Sequence, residues 1–192
     1  MWIGVVINIP EPWGGYLTRR RAQTGAPSAY CPPAHLTLLG PTEIAAERLP
    51  EVEAHLAEVA AAYPPYQLHL RGTGTFRPVT EVVFVAVAAG IGECEQLAAA
   101  IGEAEVVQRE SRFPYHPHVT VAQDVPTETL DEVYEELAGF SARFEVDGFT
   151  LFSQGRDVAW QPLRHFRLTG RSPVTGPGSV RPDGGTGATP GA

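Results

Sequence analysis

Hydrophobic residues in this chain form short β-type runs separated by longer helical patterns. Apolar and β-branched runs predict strands at 2–9, 35–41, 66–70, 81–88, 118–122, 143–152 and 160–168. Apolar residues at spacings of three and four predict helices at 12–24, 45–63, 90–104 and 126–140. We expect Gly40-Pro41 to end the second strand, Gly72-Thr73-Gly74 to form a turn, and Thr127 to cap the last helix.

The order of these elements predicts one folded unit over about residues 1–170 and a different segment after it. Short turns join several neighbouring strands, which favours an α+β fold with antiparallel pairing over a doubly wound parallel sheet. In 171–192, ten residues are Gly or Pro and few are aliphatic. Such a segment buries too little apolar area to offset its ordering entropy, so we predict a disordered tail.

The net charge limits the kinds of partner. The chain carries a formal charge of −8, and its basic residues are all Arg because it contains no Lys. Long nucleic acid binds to many basic side chains at once, so an acidic chain favours small ligands or the ends of a nucleic acid. The one basic run, Arg19-Arg20-Arg21, is interpreted as a solvated helix end.

Two further patterns bear on location. No apolar run approaches the roughly 20 residues that a membrane helix needs, and a strand pattern follows Met1 directly, without a basic region. Cys31 and Cys94 lie far apart and form no CxxC pair, which gives no indication of a disulfide framework. We therefore expect a cytoplasmic monomer that does not contact membranes.

Candidate chemistry comes from two matching segments. His35-Leu36-Thr37 and His118-Val119-Thr120 each follow a Pro-containing loop and begin a predicted strand. Residues i and i+2 of a strand project from the same face, so each His and its Thr point together while the aliphatic residues point into the core. Two such pairs facing each other would bring two imidazoles and two hydroxyls to one site.

That set of groups suits phosphodiester chemistry. Histidine exists in both protonation states near neutral pH, so one imidazole can activate water while the other protonates a leaving alkoxide. Threonine hydroxyls can donate to the non-bridging oxygens of a phosphate. As a working assignment, His118 is the base and His35 the acid, although the two halves are nearly symmetric in sequence. No cofactor or metal is required.

The paired motifs resemble those of the 2H phosphoesterase superfamily, which includes 2′-5′ RNA ligase-like proteins and cyclic phosphodiesterases. Thr75-Phe76-Arg77-Pro78 is similar to its middle segment, and the runs 151–153 and 160–168 to its last strands. The resemblance implies two pseudo-symmetric α+β lobes with the His-x-Thr strands lining a central cleft. It also implies that His35 and His118 are catalytic, that Thr37 and Thr120 bind phosphate, and that 2′,3′-cyclic phosphates are opened to 2′-phosphates in RNA processing.

Residues near the motifs supply candidate contacts to the rest of the substrate, a nucleotide or an RNA end. Tyr115 and Phe76 are candidates for stacking on a base, and Arg77 for meeting the phosphate. His116 and His118, together with His35, could instead form a three-histidine zinc site. A 2′-5′ RNA ligase, a zinc-dependent hydrolase and a phosphate-binding module without turnover remain alternatives. The presence of both histidines speaks against the binding module, because binding alone favours a permanent cation such as Arg.

Overall fold

The computed structural model describes residues 1–25, 32–108, 113–155 and 159–171. Within these ranges the chain forms eight strands and four α-helices. The strands are β1 (Trp2–Asn8), β2 (His35–Glu43), β3 (Tyr66–Thr75), β4 (Val82–Ala89), β5 (His118–Gln123), β6 (Ser141–Val146), β7 (Gly148–Gln154) and β8 (Gln161–Arg167). The helices are α1 (Trp13–Gln23), α2 (Leu49–Ala62), α3 (Ile91–Gly102) and α4 (Thr127–Glu136).

The strands form two antiparallel four-stranded sheets, which confirms the predicted α+β class. The first sheet has the order β2-β1-β7-β8 and the second has the order β5-β4-β3-β6. In each sheet, one of the two edge strands carries a His-x-Thr motif. This strand pairs with the strand that precedes it in the chain. This equivalence is the predicted pseudo-symmetry. The second sheet comes from the continuous stretch 66–146, whereas the first combines strands from both sides of that stretch.

The helices between paired strands pack across the two sheets. Helix α1 connects β1 and β2 of the first sheet, yet Trp13 stacks on Phe144 of β6 with ring centroids 6.1 Å apart. Conversely, α3 connects β4 and β5 of the second sheet and contacts β2 of the first. Because of this exchange, the buried side chains of both sheets form one continuous hydrophobic cluster.

Two glycine-containing segments that were predicted to end a strand or to form a turn lie inside strands. β2 continues through Gly40-Pro41 to Glu43, because the proline falls at a register shift in an edge strand, where its missing N–H costs little. β3 likewise continues through Gly72-Thr73-Gly74. Gly72 has φ +68° at a register shift, so its conformational freedom produces an irregularity within the strand and not a turn.

Two other local predictions were wrong. The run 143–152 is not one strand, because the chain passes from the second sheet to the first at Asp147. The burial pattern changes there: β6 alternates between exposed and buried residues, whereas the first five residues of β7 are all buried. Thr127 is the first residue of α4 and not its cap, and Pro126 at the cap position makes no side-chain hydrogen bond.

The prediction of a solvated helix end at Arg19-Arg20-Arg21 also fails for two of the three residues. Arg20 and Arg21 are only 7% and 8% exposed. Arg20 donates to Glu136 at 2.7 Å and to Glu132 at 3.0 Å, which ties the end of α1 to α4. The burial follows from the packing of α1 across the sheets, which its own sequence pattern does not reveal.

Residues 172–192, which include nearly all of the predicted tail, lie outside the described residues, as does Cys31. In the described part of the chain, none of the helices combines the length and the apolar character needed to cross a bilayer.

We expect Arg20→Ala to reduce the free energy of unfolding by about 1–2 kcal/mol, because the substitution removes a buried guanidinium and its two ion pairs, while the carboxylates left behind are partly solvated. Urea denaturation measures the change. Arg19→Ala is the matched control, since Arg19 is exposed on the same helix turn and should change stability by less than about 0.5 kcal/mol. Equal effects of the two substitutions would contradict the assigned role of Arg20.

Candidate active site

The two His-x-Thr segments lie where the sheets face each other. β2 and β5 are the edge strands of their sheets and contact one another. Leu36 and Val119 are fully buried, whereas the His and Thr of each motif are half-buried. The alternation along each strand therefore sends the aliphatic residues into the core and the chemical groups toward the cleft, as the spacing predicted.

Each imidazole is oriented by the backbone that leads into its strand. His35 Nδ1 donates to the carbonyl of Pro33 at 2.7 Å, and His118 Nδ1 donates to the carbonyl of His116 at 2.7 Å. A carbonyl can only accept, so both neutral rings carry their proton on Nδ1. Nε2 is then the nitrogen of each ring that is available to accept or deliver a proton at a ligand.

Burial lowers the pKa of both histidines below the ordinary value of 6.5. The hydrogen bonds to Pro33 and His116 oppose this shift because they favour the protonated form. The charges of Arg21 and His118 lower the pKa of His35 further, and the charge of His116 lowers that of His118. The imidazoles are thus close enough to interact, and both are neutral at pH 7.

Two cavities flank the histidines. The first, pocket A, has a volume of about 290 Å³ and the second, pocket B, about 520 Å³. Pocket A is lined by His35, Thr37, Thr120, Arg21, Gln123, Asp124, Trp160, Phe152 and several smaller residues. Pocket B is lined by His118, Thr37, Tyr115, His116, Phe113, Glu95 and residues of α3. Thr37 borders both cavities, so the two cavities adjoin each other and together include all four motif residues in their linings.

Tyr115, a predicted stacking residue, spans the cleft. It precedes β5, and its hydroxyl donates to the backbone carbonyl of Thr37 on β2 at 3.0 Å. Burial raises the pKa of the phenol well above its ordinary value, which keeps the hydroxyl protonated and able to donate. The ring lines pocket B beside His118, so a molecule in that cavity meets an aromatic wall.

Phe76 and Arg77 take different positions from Tyr115. The Phe76 ring meets the His118 ring edge-on, with centroids 5.0 Å apart, and Phe84 lies 5.2 Å from the same imidazole. Phe76 therefore supports His118, and stacking on a base stays a prediction. The Arg77 guanidinium pairs with Asp131 at 2.7 Å and lines neither pocket, so the structure does not bring it to the other predicted residues.

Several site residues were missed in the sequence. Phe84 lies opposite Thr120 in the sheet, and Gly74 gives its ring room, because a Cβ there would lie 2.5 Å from the ring. A strand register would have been needed to find them. Arg21 and Trp160 reach pocket A from other parts of the chain. Among the described residues, His, Cys, Asp and Glu side chains form no cluster of three or more suited to a metal ion.

The chain matches known proteins in sequence. Residues 9–158 match the model of the 2′-5′ RNA ligase superfamily, and the chain belongs to this family. The Geobacillus kaustophilus protein named "Putative phosphoesterase GK0864" is 26% identical over 176 residues, which cover 91% of this chain and 100% of that protein.

Solved structures support the same assignment. TT0787 of Thermus thermophilus superposes with a TM-score of 0.64 and 25% identity, covering 90% of this chain and 100% of that one. Escherichia coli LigT, solved with NADP+, gives a TM-score of 0.61 and 25% identity, covering 87% and 97%. The predicted resemblance to the 2H phosphoesterases and the predicted fold are thereby confirmed.

We expect His35 and His118 to titrate with midpoints below 6.5 and to carry the neutral-state proton on Nδ1, because both rings are desolvated and bound to carbonyls. Two-dimensional ¹⁵N NMR of the imidazoles reports both properties. His55, whose Nε2 donates to the carbonyls of Ala100 and Ile101, is an internal reference for the opposite tautomer. A midpoint above 6.5 or a proton on Nε2 at either site would contradict this description.

Proposed function

We propose that the protein is a metal-independent phosphodiesterase that opens 2′,3′-cyclic phosphates of nucleotides or RNA ends to 2′-phosphates. The observation that carries this proposal is the pair of imidazoles, each with Nδ1 bound to a carbonyl and Nε2 left for the ligand, beside two threonines. The name of the Geobacillus relative, a phosphoesterase, points to the same reaction class.

The reaction requires two proton transfers, one for each imidazole. In the working assignment, His118 takes a proton from water as the water oxygen bonds to phosphorus. The bond from phosphorus to the 3′ oxygen breaks, and His35 gives its proton to that oxygen, leaving a 3′-hydroxyl and a 2′-phosphate. Thr37 and Thr120 donate to the non-bridging oxygens, where negative charge accumulates in the transition state.

The lowered pKa values bear directly on this mechanism, since one imidazole must be protonated. Both rings are neutral at pH 7 in the free protein, so the active form with one imidazolium increases as the pH falls below 6.5. A bound phosphate anion next to the rings raises their affinity for protons. The rate with subsaturating substrate should therefore be greatest on the acidic side of neutrality.

The rest of the substrate fits pocket B. A volume of about 520 Å³ lies within the usual range for small-molecule sites, and Tyr115 presents an aromatic surface there. LigT has been solved with NADP+ and with ATP. A nucleoside portion in pocket B, with its phosphate at the motifs, accounts for the position of Tyr115 better than a ligand without a base does.

We expect the unmodified protein to hydrolyse nucleoside 2′,3′-cyclic monophosphates in the presence of EDTA. His35→Ala and His118→Ala should each lower kcat about 10²–10⁴-fold, the usual contribution of a general acid or base. The kcat/KM profile should be bell-shaped with its maximum below pH 6.5, because it reports the pKa values of the free protein. Chromatography of the products measures the rate and distinguishes 2′- from 3′-phosphates.

His55→Ala is the matched control, because His55 binds carbonyls of α3 outside the cleft. It should retain full activity. A rate abolished by EDTA, or one retained in either cleft variant, would exclude the two-histidine mechanism. Joining of two RNA halves instead of hydrolysis would establish the ligase, and nucleotide binding without any turnover would establish the binding module.

A second experiment separates the two roles of Tyr115. If the ring stacks on a base, Tyr115→Ala should raise KM about 10-fold or more, whereas Tyr115→Phe, which keeps the ring, should stay near the unmodified value. If the hydrogen bond to Thr37 is what matters, both substitutions should impair the protein equally. Steady-state kinetics at the optimal pH decide between them, and equal impairment would remove Tyr115 from the base-binding residues.

A further inference from the structure

A buried cation in pocket A takes no part in the reaction proposed above. Of the three arginines at the end of α1, Arg19 is exposed and Arg20 is paired with two glutamates of α4. Arg21 is 8% exposed and lines the same cavity as His35, Thr37 and Thr120. A permanent positive charge therefore lies in the same cavity as one of the two motif imidazoles.

The position of Arg21 is set by the segment that orients His35. Arg21 Nη2 donates to the carbonyl of Pro32, and His35 Nδ1 donates to the next carbonyl, that of Pro33. Helix α1 holds this segment a second time, because the hydroxyl of Thr18 accepts from the backbone N–H of Ala34 at 2.8 Å. The guanidinium and the imidazole are thus fixed on adjacent carbonyls at one wall of the cavity.

The charges around the cavity favour an anion at this wall. Among the described residues, the ionisable groups that line pocket A or act on the pKa of His35 are Arg21, His118 across the cleft, and Asp124 at the exposed edge of the pocket. The Asp124 carboxylate is open to water and accepts from the side chain of Gln123 at 3.3 Å, so its field at the wall is screened. The described residues that line pocket B include Glu95 and no arginine.

We propose that Arg21 binds the phosphate of the substrate in pocket A, together with the hydroxyls of Thr37 and Thr120. The identity of the substrate rests on the function proposed above, whereas anion binding by Arg21 does not. A guanidinium gives paired, charge-assisted hydrogen bonds to phosphate oxygens and keeps its charge at every relevant pH. The non-bridging oxygens then turn toward pocket A and the organic part toward pocket B.

This assignment has a consequence that distinguishes it from binding by an imidazolium. Above pH 7.5 both histidines are neutral, since burial lowers the pKa of each. Phosphate bound by the histidines would be lost at that pH, whereas phosphate bound by Arg21 would stay. The most direct probe is therefore inorganic phosphate at pH 8, without turnover.

We would measure inorganic phosphate binding by calorimetry at pH 8 with EDTA. Arg21→Gln should weaken binding about 10–100-fold, and Arg21→Lys should retain a larger part of the affinity because it keeps the charge. Arg20→Gln is the matched control: it removes a buried arginine from the same helix but not from the cavity, and should leave phosphate affinity within about 2-fold. Unchanged affinity in folded Arg21→Gln would overturn the proposal.

A second measurement covers the case in which Arg21→Gln does not fold. In the unmodified protein, the Nε–Hε resonance of Arg21 should shift as phosphate is added, and that of Arg20 should not. An unmoved Arg21 resonance at saturating phosphate would also overturn the proposal. In the folded variant, the NMR titration midpoint of His35 should rise, because a neighbouring positive charge has been removed.

These outcomes are independent of the proposed reaction. Phosphate binding that depends on Arg21, in a protein that hydrolyses no cyclic phosphate, would retain the anion site and reject the phosphodiesterase. Hydrolysis that depends on both histidines, with phosphate affinity unaffected in Arg21→Gln, would retain the phosphodiesterase and reject the role of Arg21.

Discussion

The chemistry of the cleft depends on one short hydrogen bond made twice. Each imidazole donates Nδ1–H to the carbonyl two residues before it, at 2.7 Å, where the chain enters its strand. The bond fixes the tautomer and the orientation of the ring, and it leaves Nε2 as the nitrogen available to a ligand. Because donor and acceptor belong to the same few residues, each half orients its own imidazole, and the packing of β2 against β5 brings the two halves together.

The two halves differ in what surrounds these imidazoles. His118 rests against Phe76 and Phe84, whereas His35 lies beside the buried guanidinium of Arg21. The pseudo-symmetric fold thus supplies two equivalent imidazoles, and their different neighbours give them different electrostatic surroundings. The presence of both histidines was taken as evidence against a simple binding module, because binding alone favours a permanent cation. Arg21 places such a cation in the same cavity, so turnover itself has to be measured.

Local patterns were enough to predict most elements and to single out four candidate site residues. His35, Thr37, His118 and Thr120 were singled out because strand periodicity is local and the motif occurs twice. What failed depends on packing between distant segments. The burial of Arg20 and Arg21 results from α1 crossing to the other sheet, and the division of 143–152 results from the chain changing sheets at Asp147. No short window of sequence contains that information.

The exchange of α1 and α3 between the sheets also constrains motion. Each helix follows a strand of one sheet after a short connection, while its buried residues lie in the core that is shared with the other sheet. A hinge that opened the cleft would have to pull both helices out of that core, so the lobes cannot swing apart as separate bodies. The shared core then sets the spacing of β2 and β5, and a ligand of this cleft would have to fit between the two strands at that spacing.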